Sequence, residues 1–315
     1  MKSAGPVLTV LSILLAIWYV ACLPMNVREV LTEAERAGAV IVPDKATDRI
    51  NAGTIPLILN NISALGGTWA QERPRLPAPH QVAAEIWDST VIEELVSRRG
   101  IWQSGEFSNR SLVYHAGVTL LPTLLGFLIG TGLGILLAVG IVHSRAMNMS
   151  VMPWAIISQT IPIVALAPMI IVVMYSAGIQ GVLPKAVISA YLSFFPVVVG
   201  MVKGLRSPEA MQLDLLRTYN ASPAQGFWKL RLPASVPYLF ASLKIAISAS
   251  LVGAIVGELP VQQGGLGARM LAGSYYGQTA QIWAALVVAA VIAGLLVVLI
   301  GVVEGRTLRR MGVAA

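Results

Sequence analysis

Charge and cysteine are the scarce materials of this sequence. Only 12% of its 315 residues are charged, three are histidine and a single one, Cys22, is cysteine. A lone cysteine cannot close an intrachain disulfide, so no disulfide framework supports the fold. A soluble domain carries charge on about 25% of its residues, twice the share found here. Also absent are the G-x-x-x-x-G-K-[ST] phosphate loop, the H-E-x-x-H pair and the G-x-S-x-G elbow. The chain is therefore expected to be no enzyme: it has no means of hydrolysing nucleotide itself and no catalytic or metal-binding constellation.

Apolar residues are what is there. They make up 56% of the chain, with a mean hydropathy of +0.74, and they are gathered into runs near the ~20 residues needed to cross a bilayer. Six stretches qualify: 6–23, 113–142, 151–174, 186–202, 238–257 and 282–303. The expected fold is an all-α integral membrane protein of about six transmembrane helices in a lipid bilayer. The net charge of +7 does not imply a nucleic-acid partner, because the basic residues flank the apolar runs. Lys2, Arg145, the group Lys203, Arg206, Arg217, Lys229 and Arg231, and the tail residues Arg306, Arg309 and Arg310 share one side if the chain crosses six times. The opposite short loops offer only Lys185 and Arg269. The positive-inside rule then places both termini in the cytoplasm.

The expected organisation is a first transmembrane helix over 1–23, an extracytoplasmic segment over 24–112, a core over 113–305 and a cytoplasmic tail over 306–315. Within 24–112, "REVLTEAER" has helical spacing and "PAPHQVAAEIW" opens an amphipathic helix suited to the membrane surface. A cleaved signal ending at Cys22 is the alternative for the first run. Tyr19 in "YVAC", where an aliphatic residue is wanted, and a single lysine before the run favour an uncleaved helix.

Inside the spans, Gly126, Gly130 and Gly134 form a stripe that admits close approach of another helix. "GTGLG" is no nucleotide fingerprint, since no strand precedes it. The third run carries Pro162 and Pro168 with a polar start at Ser158, Gln159 and Thr160. These three are candidates for lining a pathway, or for interhelical hydrogen bonds. Lys244 is expected to snorkel to the interface. Glu258, at the far end of the same run, either holds the backbone of the following loop or gates the pathway.

The stretch 204–237 differs from everything around it. "SPEAMQLDLLRTYNASPAQGFWKLRLPASVP" predicts a helix ending near Tyr219, a turn at Asn220, and a second short helix with Ser222 as N-cap and Pro223 at its first position. A rigid helix-turn-helix between the fourth and fifth spans is a handle for a partner protein.

This loop resembles the cytoplasmic Glu-Ala-Ala loop of binding-protein-dependent ABC importer permeases. Asp214 stands at the acidic position, Leu215 and Leu216 at the two alanines, Asn220 at the glycine, and Leu232 and Pro233 at the following Leu-Pro. "RLPAPHQVAAEIWDS", "TIPIVALAPMIIVVMYSAGI", "SFFPVVVGMVKGLRS" and "VGELPVQQGGLGARM" are similar, in order, to segments of the nitrate, sulfonate and taurine branch. The likeness covers about 74–305 and leaves 24–73 without a counterpart.

The resemblance implies a permease subunit in a bacterial inner membrane, paired with a second permease subunit. It implies cargo delivered by a periplasmic substrate-binding protein and energy from a cytoplasmic ABC ATPase dimer. The chain would bind no cofactor directly, with ATP and Mg held by the ATPase. The ATPase-coupling residues would be Asp214, Leu215, Leu216, Arg217, Thr218, Tyr219, Asn220, Ala221 and Ser222. Cargo of this branch includes nitrate, sulfonates, taurine and pyrimidine-type compounds. A gradient-driven transporter or channel is the competing expectation; it calls for paired ionisable residues at membrane depth, and the sequence shows none.

Overall fold

The computed structural model describes residues 4–261 and 263–312, so Lys2 and the end of the 306–315 tail lie outside the described residues. Every regular element among those described is helical. In chain order the helices are α1 (Ala4–Arg36), α2 (Ala46–Asn51), α3 (Thr54–Asn60), α4 (Pro79–Trp87), α5 (Glu93–Leu95), α6 (Ile101–Ser104), α7 (Leu112–His143) and α8 (Arg145–Ser158). They continue as α9 (Ile163–Ser176), α10 (Val182–Leu205), α11 (Ala210–Thr218), α12 (Pro223–Gly226), α13 (Leu232–Glu258), α14 (Leu266–Tyr275) and α15 (Thr279–Arg310).

Five helical stretches are long and apolar enough to cross a membrane: Gly5–Arg36, Leu112–His143, Val182–Leu205, Pro223–Glu258 and Thr279–Arg310. A sixth crossing exists if α8 and α9, bent by 103° at their junction, count together. That bend departs from the single kinked span expected over 151–174. Pro162 supplies no N–H and has φ −65° and ψ 118°, and Ile161 before it is disfavoured in helical conformation. The helix therefore stops and restarts.

Two further boundaries differ from the sequence expectation. The first helix does not end at residue 23 but runs through Pro24 to Arg36. Val27, Val30 and Leu31, at i, i+3 and i+4, are buried there and give the extension an apolar face to pack. The helix opened by Ser222 is not separate from the fifth span either. A π-helical turn, Phe227–Arg231, joins α12 to α13, and Pro233 lies at the start of α13. The wider i→i+5 turn absorbs the break in regular bonding that proline imposes.

The chain forms two compact units. The first comprises the residues up to Leu112 together with Arg269–Val287. Its small core is Val27, Leu31, Ile41 and Leu57, so residues 24–73 form an ordered module. Buried asparagines stitch its irregular segments. Asn26 donates to the carbonyls of Thr68 (3.0 Å) and Leu76 (2.8 Å) and accepts from the N–H of Leu76 at 3.0 Å. Asn61 treats Val42 and Leu57 in the same way, with bonds of 2.7 to 2.9 Å. Aromatic residues tie the module to α1: Trp18 Nε1 donates to Pro77 O at 3.0 Å, and Trp69 Nε1 to Tyr19 O at 3.1 Å. Cys22 is buried within this unbroken helix.

The second unit comprises Val113–Ala268 and the residues from Val288 onward. Its core gathers Ala138 and Ile141 of α7, Ala155 of α8, Phe194, Val197, Val198 and Met201 of α10, and Ala246 of α13. The glycine stripe of α7 lies against α10. A Cβ on Gly126 would meet Ser189 Cβ at 2.2 Å, on Gly130 Ser193 Oγ at 2.1 Å, and on Gly134 Val197 Cβ at 2.8 Å. Gly200 and Gly204 of α10 meet Ser242 and Ser235 of α13 in the same manner. Small residues on both faces bring these backbones together, and Ser250 Oγ donates across to Thr123 O at 2.7 Å.

Candidate functional site

The helix-turn-helix after α10 is built by capping. Glu209 and Ser222 each begin a helix whose third residue, Gln212 or Gln225, turns back to accept the cap's own backbone N–H, at 3.1 and 2.8 Å. The Ser222 hydroxyl in turn accepts the N–H of Gln225 at 3.3 Å. Between the helices, the N–H of Ala221 bonds to Leu216 O at 3.0 Å and that of Asn220 to Arg217 O at 2.9 Å. This pair of bonds is a Schellman closure, with Asn220 left-handed at φ 51°. Asn is one of the few side-chain-bearing residues that adopt that conformation readily.

Capping at both ends leaves α11 rigid with one face unpartnered. Met211, Leu215 and Tyr219, four residues apart, are 77%, 57% and 78% exposed. On the other face Leu213 and Leu216 are half-buried and line a cavity of about 390 Å³ with His143, Ser222 and Arg231. Arg217 pairs with Asp214 at 3.1 Å, with both side chains largely in solvent, and Thr218 Oγ1 caps back to Asp214 O at 3.0 Å. The structure thus gathers Asp214 to Ser222 into one motif. Met211 was not among the residues singled out from sequence; its i, i+4, i+8 register with Leu215 and Tyr219 is the signal that finds it.

Glu258 anchors a second motif. Its Oε2 accepts the N–H of Gly267 at 2.8 Å, while Thr119 Oγ1 accepts that of Leu266 (2.9 Å) and His115 Nδ1 that of Gly265 (3.0 Å). Three consecutive N–H groups at the start of α14, which no helical carbonyl can satisfy, are met by side chains from α7 and α13. Gly264 and Gly265 have φ of 90° and 106°, and a Cβ on Gly265 would lie 2.1 Å from Glu258 Cδ. The carboxylate of Glu258 thus holds the backbone of the loop that follows.

A family model for the inner membrane component of binding-protein-dependent transport systems matches residues 130–312. The chain belongs to this family. It is 36% identical over 183 residues to a probable ABC transporter permease protein of Haemophilus influenzae, covering 58% of this chain and 73% of that one. It is 33% identical over 153 residues to the formylaminopyrimidine transport permease ThiX of Halalkalibacterium halodurans, covering 49% and 60%. A putative aliphatic sulfonates transport permease of Bacillus subtilis, SsuC, is 25% identical over 181 residues, covering 58% and 64%. The chain is thus a multi-pass inner membrane component of a transport system of the ABC importer kind.

In this permease the three polar residues of the third run sit at the α8–α9 break and not along a continuous helix face. Ser158 is buried and its hydroxyl bonds Ala155 O at 2.7 Å, while its carbonyl accepts from the hydroxyl of Tyr191. Thr160 is exposed and its hydroxyl turns back to Ile157 O at 2.8 Å. Gln159 differs, because its Nε2 is buried with no hydrogen-bond partner. Lys244, expected to snorkel to the interface, has its Nζ 2.5 Å from Glu304 Oε2 of α15. The two charges satisfy each other near the basic end of α15.

Proposed function

We propose that this permease transmits the ATP-driven closure of a cytoplasmic ABC ATPase dimer to its membrane helices, importing a small solute handed over by a periplasmic binding protein. The observation that carries this reading is the exposed Met211, Leu215, Tyr219 stripe on a helix held rigid by caps at both ends. An apolar face on an otherwise polar loop is left for a partner to cover, and a helix laid into a groove is read through such i, i+4 anchors. A rigid helix moves as a body, which a switch driven from a distant nucleotide site requires.

On this reading both termini and α11 face the cytoplasm, and residues 24–112 lie outside. The chain carries no nucleotide; ATP and Mg belong to the ATPase partner. A second permease subunit, alike or different, completes the pathway. The buried, unpartnered amide of Gln159 at the α8–α9 break supports a pathway there, since irregular backbone at membrane depth must line a cavity or lie within protein. The relatives' names support a cargo of formylaminopyrimidine or sulfonate type.

The test is photo-crosslinking in membranes that also contain the ATPase. A photoreactive residue at position 219 is expected to capture it, and one at the equally exposed Tyr276 is not. Capture at both positions, or at neither, contradicts the assignment.

A further inference from the structure

Two helices of the second unit leave an open groove between them. The groove, of about 400 Å³, lies between α10 and α13, which belong to stretches long and apolar enough to cross a bilayer. It is distinct from the exposed face of α11 and from the α8–α9 break.

Small residues make it. A Cβ on Gly200 would lie 2.5 Å from Ser242 Cβ, so the two backbones close in at that point, and Gly200, Ala241 and Ser242 form a shallow floor. The walls are Phe195 and Val199 on α10 and Ile245 on α13. Val199 is 36% exposed and Ile245 62%, so the groove opens outward. Around a spanning helix at that depth the medium is lipid hydrocarbon.

One end of the groove is polar. Lys203 stands in the last turn of α10, and its ammonium lies 5.9 Å from the centre of the Tyr238 ring, early in α13. Neither that ammonium nor the tyrosine hydroxyl makes a hydrogen bond or ion pair among the described residues, and no carboxylate lines the groove. The Ser242 hydroxyl is already bonded to Leu239 O at 2.8 Å. At about 1.5 Å per residue, Phe195 lies about 12 Å deeper along α10 than Lys203, and Ile245 about 10 Å deeper along α13 than Tyr238. The groove therefore has a cationic mouth at the end of a span and an apolar trough leading toward the bilayer centre.

A free anion would meet the mouth and leave the trough bare. An uncharged chain, or an apolar helix of another protein, would fill the trough and gain nothing from the ammonium and hydroxyl. An amphiphile with an anionic head matches both.

We infer that this groove seats an anionic phospholipid, one acyl chain along Phe195, Val199 and Ile245 and its phosphate accepting from Lys203 and the Tyr238 hydroxyl. Basic pockets between spanning helices hold anionic headgroups in this way, and bonds to a phosphate are charge-assisted. A phosphatidylcholine headgroup brings its own cation to the phosphate and needs Lys203 less. The inference rests on α10 and α13 crossing a bilayer and stands whether or not α11 couples to an ATPase.

The experiment is thermal unfolding of the full-length protein in detergent with added dioleoyl-phosphatidylglycerol, against dioleoyl-phosphatidylcholine and inorganic phosphate. Phosphatidylglycerol is expected to raise the melting temperature by about 3 °C at saturation, and the other two to do clearly less. Lys203→Gln, at an exposed position, should melt as wild type without lipid. It should need about tenfold more phosphatidylglycerol for the same shift, the loss of one charge-assisted bond. Lys229→Gln removes an exposed charge that does not line the groove and should respond as wild type. The proposal is overturned if phosphatidylglycerol gives no shift, if phosphatidylcholine or phosphate shifts the melt as much, or if the two lysine variants respond alike. A disulfide formed in membranes between two copies of Val199→Cys would also overturn it, since a second subunit would then cover the groove.

Discussion

Glu258, the last residue of α13, accepts the backbone N–H of Gly267 at 2.8 Å, and Gly265 lies so close that a Cβ there would sit 2.1 Å from the carboxylate carbon. The acid and the glycines are one device: the carboxylate can reach the loop only because the loop has no side chain at that point. Gly265→Ala is therefore expected to cut the yield of folded protein sharply. Gly66→Ala, where nothing lies within 4 Å, should leave it unchanged. Fluorescence-detected gel filtration of the two variants beside wild type checks this; equal monodisperse yields would show that the loop has room.

Asn220 is left-handed, so its best substitute has no Cβ at all. Asn220→Gly should match wild type in stability. Asn220→Val forces a β-branched residue into that conformation at a cost of about 1–2 kcal/mol, loosening the link between α11 and α12. Limited proteolysis of the 215–225 stretch reads this, with faster cleavage expected in the valine variant only. Cleavage at the same rate in all three proteins would place no weight on the left-handed turn.

Two glycines of α7 make opposite predictions. Gly130 faces Ser193 Oγ at what would be 2.1 Å from a Cβ, whereas Gly132 has nothing within 4 Å. Gly130→Leu should lower the melting temperature strongly or abolish folding, since overpacking costs about 1–3 kcal/mol or more. Gly132→Leu should be tolerated. The result that overturns the α7–α10 packing is equal tolerance of both.

Burial raises the Glu85 carboxyl above its ordinary 4.5, with Arg269 opposing the shift and Asp88 adding to it. A raised acid is neutral in both folded and unfolded chain at low pH. As pH climbs past the ordinary value the unfolded chain ionises first, so Glu85's contribution to stability is lost as pH rises through the folded value. The melting temperature of Glu85→Gln, minus that of wild type, should therefore become more positive from about pH 4 to pH 7. A flat or falling difference would mean that Arg269 outweighs burial.

The elements most legible in the sequence are those whose signal is local. The Ser222–Pro223 helix start and the left-handed Asn220 follow from the capping preferences of single residues, and both appear where the sequence puts them. The glycine stripe of α7 was visible too. Its partners Ser189 and Ser193, some sixty residues away, carry no local mark, because a serine inside an apolar run looks the same whether or not it meets a glycine. The extension of α1 to Arg36 was obscured by Pro24 and by the change to a charged surface, although Val27, Val30 and Leu31 already held the helical spacing. The Lys244–Glu304 and Arg269–Glu85 pairs join residues far apart in sequence, and no spacing rule reaches them. Tertiary packing decides such contacts.

The central claim is that the apolar face of α11 is where an ATPase binds. Co-purification measures it most directly: the tagged permease is co-expressed with its ABC ATPase as wild type and as Leu215→Glu, Tyr219→Glu. Both positions are exposed, so the variant should fold and elute as wild type does. The account predicts that wild type retains the ATPase and the variant loses it. Equal retention by both proteins, or no ATPase on folded wild type, would contradict it.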